Sequence, residues 1–157
     1  MSPPPIPDHE ELRLAALHDL CILDTPQDPA FDDLTCLTAQ LLDAPIALVS
    51  LVDRERQWFK SAYGLPVRET PRDVSFCAYA VYDRALLVVE DATRDDRFAD
   101  NALVTGEPFI RFYAGAPLFS DDGFALGTLC VIDRTPRALG QRELSVLQGL
   151  ARQAELL

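Results

Sequence analysis

The sequence predicts one α+β domain built on a central antiparallel sheet. Apolar residues recur at helical spacing near both ends of the chain and enclose shorter segments with strand character. Two pairs of those segments are joined by short polar turns, which connect antiparallel strands. The length of 157 residues suits a single core. We therefore expect helices from the two ends of the chain to cover one face of the sheet.

The N-terminal part predicts two helices. Residues 1–9 are rich in proline and should be disordered or extended. A helix is expected from Glu10, where acidic residues open a run of apolar residues at helical spacing. A second helix should begin near Asp28 and end before Pro45.

Two hairpins and a middle helix follow. The run 46–52 is short, β-branched and apolar on both faces, as central strands are, and a charged turn joins it to a strand at 57–63. Strands 110–119 and 125–133 form the second hairpin, with Asp and Gly in the turn between them. The long helix at 141–157 completes the pattern.

The segment between the hairpins is more mixed. Residues 67–73 are expected to form a charged loop, and Ser75 should cap a short helix. A strand is predicted at 86–89. Residues 91–107 predict a polar loop with one helical turn around 95–99, and a loop of this length is typical of a lid or a binding loop.

Charge and composition exclude several classes of function. The net charge of −11 repels phosphate backbones and anionic lipid heads, so binding to nucleic acid or to a membrane is not expected. No apolar run approaches about 18 residues, and the N-terminus lacks the pattern of a signal peptide. We expect a cytoplasmic protein.

The residues that usually carry catalysis are scarce, so the sequence does not predict an enzyme. His9 and His18 are the only histidines, and neither a serine-nucleophile motif nor a phosphate-binding glycine loop occurs. The four cysteines are far apart and should be reduced, mostly buried thiols. The acidic residues at 91–100 are interleaved with arginines, which favours a solvated loop over a metal site.

Two features are candidates for a binding site. Alternation in the strand at 110–119 places Arg111, Tyr113 and Gly115 on one face, as in the floor of a pocket. The alternative is that Arg111 pairs with an acidic residue such as Asp91 and that Tyr113 is ordinary core. Cys77, at the start of the middle helix, is either a packed thiol or one whose pKa the helix lowers.

The terminal helices carry more apolar surface than one sheet face needs. The excess predicts a parallel homodimer. The candidate contact residues are Leu12, Leu20, Leu144, Leu147, Leu150 and Leu157.

Seven ordered blocks resemble a GAF domain over roughly residues 10–157. The type they resemble is the bacterial sensory one that precedes histidine kinase or diguanylate cyclase domains. The blocks lie at 45–53, 56–61, 70–78, 89–92, 98–101, 111–118 and 127–133.

This resemblance implies about six antiparallel strands, with the terminal helices on one face and a ligand pocket on the other, under the middle helix and the long loop. It also implies dimerisation through the terminal helices. The candidate pocket residues are Trp58, Phe76, Cys77, Tyr79, Asp91, Arg111 and Tyr113.

Departures from the family pattern restrict the classes of ligand and cofactor that we expect. Tyr79 stands where relatives often have a histidine, so haem, bilin and metal cofactors are not expected. The Asn-Lys-x-x-Phe-x-x-x-Asp-Glu pattern of cyclic-nucleotide types is absent, and the cysteines are too scattered in sequence for the methionine-sulfoxide reductase type.

The leading hypothesis is a sensory domain that binds an unidentified small molecule and relays the change through its terminal helices. No output domain follows Leu157, so a kinase or cyclase partner is expected in a longer chain or in trans. The first alternative is a dimerisation scaffold whose pocket is closed by Phe76, Tyr79 and Tyr113. A thiol redox sensor at Cys77 is the second.

Overall fold

One antiparallel sheet of six strands lies at the centre of the computed structural model, which describes residues 2–157. Across the sheet the strands run in the order β3-β2-β1-β6-β5-β4, and every neighbouring pair is antiparallel. The predicted α+β class is confirmed. The strands are β1 Ile46–Val52, β2 Arg56–Tyr63, β3 Glu69–Pro71, β4 Leu87–Val89, β5 Phe112–Phe119 and β6 Ala125–Asp133.

Within residues 2–157, five α-helices surround the sheet, and α2 shows how local sequence sets where a helix begins. At the start of α2, the Asp28 carboxylate accepts a hydrogen bond from the backbone N–H of Ala30, while Pro29 occupies the first turn. The helices are α1 Glu10–Asp19, α2 Pro29–Leu41, α3 Cys77–Asp83, α4 Ala102–Thr105 and α5 Gln141–Glu155.

Helices α2 and α5 pack on one face of the sheet, as expected for helices from the two ends of the chain. The even-numbered residues of β5 point into this layer, because alternate strand residues face opposite sides. The helix α1 covers a separate part of the core, where its Leu17 contacts Leu51 and Trp58. The main cluster on this face includes Phe112, Ala114, Ala116, Leu118, Leu147 and Ala151.

The opposite face of the sheet is covered by α3 and by the segment between β4 and β5. Phe76 stacks on Phe98 with ring centroids 4.0 Å apart, and its ring lies 5.2 Å from that of Tyr113. These three rings are fully buried and hold α3 over the sheet.

Two local features differ from what the sequence predicts. Part of the predicted loop at 67–73 is the edge strand β3, too short to show alternation. The helical turn expected around 95–99 is present, since the N–H groups of Phe98 and Ala99 both donate to the Asp95 carbonyl at 2.9 Å. The sequence does not predict α4 or the 3₁₀ turn at Ala92–Arg94, where the side chains of Asn101 and Asp91 cap the backbone.

The chain before α1 was expected to be disordered or extended. Residues 2–7 carry no regular secondary structure, and Met1 lies outside the described residues. Among residues 2–157, the helices are too short or too polar to cross a bilayer.

Candidate ligand cavity

A cavity of about 330 Å³ opens between the sheet and α3. Its deep walls are apolar and come from Leu48, Phe59, Phe76, Ile110 and Ile132, all of them buried. Functional pockets start at roughly this size, about 300 Å³. The space is therefore large enough for a small metabolite.

The mouth of the cavity is formed by exposed residues of two connecting segments. Pro66 and Val67 lie on one side, and Glu107 lies in the segment that follows α4. Arg134 adds a positive charge at the end of β6. Within residues 2–157, neither Glu107 nor Arg134 forms an ion pair, so both charges are free to meet a ligand at the entrance.

Gln57 is the buried amide in the lining, and its polar groups already form hydrogen bonds within the protein. Its Oε1 accepts hydrogen bonds from Ser50 Oγ at 3.2 Å and Ser75 Oγ at 2.8 Å, and its Nε2 donates to Thr70 Oγ1 at 2.6 Å. Ser75 Oγ also accepts from the N–H of Ala78, which caps α3 as the sequence predicts. The amide therefore ties α3 to the sheet and leaves the interior mostly apolar.

The floor of the cavity holds a small polar cluster around two thiols. The hydroxyl of Tyr113 donates to Cys77 Sγ at 3.1 Å, and Cys77 Sγ lies 3.0 Å from Thr128 Oγ1. The Tyr113 ring lies against the bare backbone of Gly115, where any Cβ would collide with it. The predicted shared face of Tyr113 and Gly115 therefore exists, and glycine is needed there because of the ring.

Cys77 and Cys130 are both buried and both line this floor. Burial raises the pKa of Cys77, but hydrogen bonds from Cys130, Ser50, Thr128 and Tyr113 outweigh it and bring the pKa to about 6. For Cys130, burial and the neighbouring Cys77 both raise the pKa well above its usual range. Cys77 is therefore the thiol of the pair that ionises first.

Three of the seven candidate pocket residues line the cavity: Phe76, Cys77 and Tyr113. Trp58 lies on the other face of the sheet, where it pairs with Leu51 of β1 and packs against α1. Tyr79 lies outside the lining, with its ring edge-on to Phe98 and the Arg97 guanidinium 5.6 Å from its centroid. Neither Trp58 nor Tyr79 can reach a molecule in this space.

The two charged candidates also lie elsewhere. Asp91 is a capping residue in a shallow groove beside β4. Arg111 precedes β5, and its Nη1 donates to the carbonyl oxygens of Val104 at 2.8 Å and Ile110 at 3.0 Å. Arg111 and Asp91 form no direct ion pair in the described chain. Hydrogen bonds from Thr93 hold the pKa of Asp91 below its usual range, and the charges of Arg94 and Arg111 add to this effect.

Sequence reasoning missed the parts of the lining that come from loops. The segments 65–67 and 103–108 have no periodicity that would point them at a cavity. The cysteines are far apart in sequence and are free thiols, as expected, but only Cys77 and Cys130 are buried, and both line the cavity; Cys36 is half-buried and Cys21 is exposed. Within residues 2–157, no three His, Cys, Asp or Glu side chains converge on a candidate metal site.

The predicted dimer residues divide into two groups. Leu12, Leu20 and Leu157 are more than half exposed and remain available to a partner. Leu144 and Leu150 are half-buried. Leu147 is fully buried against the sheet, so it cannot contribute to a contact between subunits.

Comparison with known proteins identifies the family of this fold. The model of the GAF domain family matches residues 27–157, most of the chain. The chain belongs to the GAF domain family. The family that the sequence blocks resemble is therefore confirmed, and the match includes every element from α2 to α5.

A curated relative and two solved structures illustrate how this GAF domain compares with others. A cyclic di-GMP phosphodiesterase of Pseudomonas aeruginosa is 46% identical over 153 residues, which is 97% of this chain; the chain spans only 26% of that relative. The GAF domain of an Acinetobacter phosphoenolpyruvate-protein phosphotransferase has 19% identity and a TM-score of 0.69, covering 92% of this chain and 90% of its own. The free methionine-R-sulfoxide reductase of Neisseria meningitidis, solved with its substrate, has 19% identity and a TM-score of 0.65, covering 80% and 73%. At such identity the two structures show the shared fold.

Proposed function

We propose that this GAF domain is a sensory module that binds a small, largely apolar molecule in the cavity and relays the event to its terminal helices. The supporting observation is the cavity itself, about 330 Å³ of space that opens to solvent between the sheet and α3. The resemblance to GAF domains implies a ligand pocket on this same face of the sheet, under α3.

The lining defines the chemistry of the ligand. An apolar body matches the buried walls, while the polar groups of Gln57 and Tyr113 are already used in hydrogen bonds within the protein. A charged or polar end would lie at the mouth, beside Glu107 and Arg134. Multiply charged anions are disfavoured because the net charge is −11 and Arg134 is the one cationic side chain of the lining.

Strand β6 supports a route from the cavity to the C-terminal helix. Cys130 and Ile132 line the cavity, whereas Leu129 and Val131, which alternate with them, pack in the layer that holds α5. A ligand that displaces β6 would therefore act on α5 across one strand. On the N-terminal side, Arg72 links the approach to α3 with Glu10 of α1.

The closed scaffold is the weaker candidate. It requires Phe76, Tyr79 and Tyr113 to fill the pocket, yet Tyr79 lies outside the lining and the other two leave the space open.

We propose a regulatory rather than catalytic role, in the cytoplasm, with a homodimer formed through exposed leucines of the terminal helices. The output partner, in cis or in trans, would be a kinase, a cyclase or, as in the curated relative, a cyclic di-GMP phosphodiesterase.

A thermal-shift screen with a library of small apolar metabolites tests whether a ligand binds in the cavity. We expect compounds that raise the melting temperature of the wild-type protein but not that of Val67→Trp, which places an indole at the mouth. Leu41→Trp is the matched control, because Leu41 is 61% exposed on a helix of the opposite face. Absence of any stabilising compound, or equal stabilisation of Val67→Trp, would refute binding in this cavity.

A further inference from the structure

Two buried thiols share the floor of a cavity that is open to solvent. Cys77 lies at the first position of α3, and Cys130 lies in the middle of β6. Both side chains line the same space, and both are free thiols. The other two cysteines do not line it, so a reagent that enters the mouth meets only this pair.

The surroundings of Cys77 favour a nucleophilic sulfur. The Tyr113 hydroxyl donates to it at 3.1 Å and Thr128 is in hydrogen-bonding contact at 3.0 Å, so a thiolate would be stabilised where water is scarce. Reactive cysteines that sense oxidants combine this stabilisation with a second thiol close enough to resolve the first product. Cys130 is the candidate for such a thiol, because it pairs with Gly115, over which the Tyr113 hydroxyl lies, and it follows Thr128 by two residues on the same face of β6.

We propose that Cys77 and Cys130 form a reversible disulfide when a small hydroperoxide enters the cavity, which makes the cavity floor a peroxide-responsive switch. This inference does not depend on the apolar ligand proposed above. It concerns a modification of the protein itself and needs only access through the mouth.

The chemistry balances in two steps. The Cys77 sulfur attacks the distal oxygen of the hydroperoxide; an S–O bond forms, the O–O bond breaks, and the departing oxygen takes a proton to leave as an alcohol, or as water when the oxidant is hydrogen peroxide. Cys130 then attacks the sulfur of the sulfenic acid, so that an S–S bond forms and the hydroxyl leaves as water. The two thiols lose two electrons together, and the peroxide gains them.

The disulfide would change the part of the fold that relays signals. It would fix the first turn of α3 to β6, whose alternate residues Leu129 and Val131 pack in the layer that holds α5. It would also remove the S–H proton of Cys77, whose sulfur lies 3.0 Å from Thr128 Oγ1. Oxidation and ligand binding would therefore act on the same strand.

Peptide mapping of the oxidised wild-type protein is the direct test. The reduced protein is treated with hydrogen peroxide and then alkylated under denaturing conditions. We expect the number of free thiols to fall from four to two. Digestion with trypsin should give one new species that joins peptide 73–84 to peptide 112–134, and dithiothreitol should remove it.

Cysteine variants distinguish the thiol that reacts with peroxide from the thiol that resolves the sulfenic acid. In Cys130→Ala, peroxide should leave a sulfenic acid on Cys77 that dimedone traps, whereas Cys77→Ala should give neither the trapped acid nor the cross-link. Cys21→Ala is the matched control and should retain the cross-link, because Cys21 is exposed and outside the cavity. If the dominant product in the wild type contains Cys21 or Cys36, or if Cys77 and Cys130 stay reduced, the proposal is wrong; this result needs no variant that could misfold.

Discussion

Replacing Glu10 by glutamine should destabilise the domain by about 2 kcal/mol, because Glu10 neutralises two buried arginines. Its carboxylate accepts two hydrogen bonds of 2.8 Å from Arg13 and one of 2.5 Å from Arg72. The side chains of Arg13 and Arg72 are only 3% and 8% exposed. This contact joins α1 to the chain segment that leads into α3.

The magnitude follows from what glutamine leaves unpaired. Its carbonyl oxygen, in the place of Oε1, can still accept two of the three hydrogen bonds, but its amide then puts a donor against the Nε–H donor of Arg13. Arg72 already has one buried nitrogen, Nη2, without a partner in the described chain. Removing one member of a buried ion pair costs about 3–5 kcal/mol, and partial exposure of Glu10 lowers this to about 2 kcal/mol. For 157 residues, that corresponds to about 6 °C in melting temperature.

The same contact predicts a pH dependence. Burial raises the pKa of Glu10, but hydrogen bonds from Arg13 and Arg72 outweigh it and hold the pKa below its usual 4.5. A carboxyl whose pKa is lower in the folded state stabilises the fold above pH 4.5, and this contribution is lost as the pH falls through the folded-state pKa. The difference in unfolding free energy between wild type and Glu10→Gln should therefore shrink below pH 4.5.

Urea unfolding followed by circular dichroism measures this difference directly. Glu11→Gln is the matched control, because Glu11 pairs with Arg54 on the surface and its substitution should change stability little. Equal effects of the two substitutions, or a difference that stays constant from pH 7 to pH 3, would refute the buried role of Glu10.

Two further predictions concern the thiol cluster and the terminal helices. Tyr113→Phe should lower the free energy of unfolding by about 1 kcal/mol and raise the pKa of Cys77, because the thiol loses one hydrogen-bond donor. The pH dependence of Cys77 labelling by iodoacetamide, read by mass spectrometry, should therefore shift to higher pH. An unchanged labelling profile would contradict this prediction. Leu12→Glu combined with Leu157→Glu should convert the proposed dimer to a monomer in light scattering, whereas Leu37→Glu on α2 should not; a monomeric wild type would rule the dimer out.

Alternation and turn chemistry made most of the fold predictable. In β5, Phe112 and Ala114 face the helices while Tyr113 and Gly115 face the cavity, as the two-residue period requires. The edge strand β3 was missed because it has only three residues and ends at Pro71. Strands this short carry no periodic signal, and tertiary pairing alone defines them.

The site was less predictable because several of its parts depend on tertiary contacts. Trp58 and Phe59 are adjacent and must face opposite sides, but the sequence does not say which one faces the cavity; Phe59 does. Alternation predicts Arg111 on the strand face, yet β5 begins at the next residue and the guanidinium donates to the carbonyl of Val104 in α4. Cys77 and Cys130 line the same cavity because α3 packs across β6, which their spacing in the sequence cannot reveal.

The most direct test of the central claim is a titration of isoleucine methyl signals with a stabilising compound from the screen. The chain has five isoleucines, and only Ile110 and Ile132 line the cavity. We expect the ¹³C-methyl resonances of these two to shift in a saturable way, while those of Ile6 and Ile22 stay in place. Shifts confined to Ile22, which lies in a groove near the helices, or no saturable shift at Ile110 and Ile132, would contradict ligand binding in the cavity.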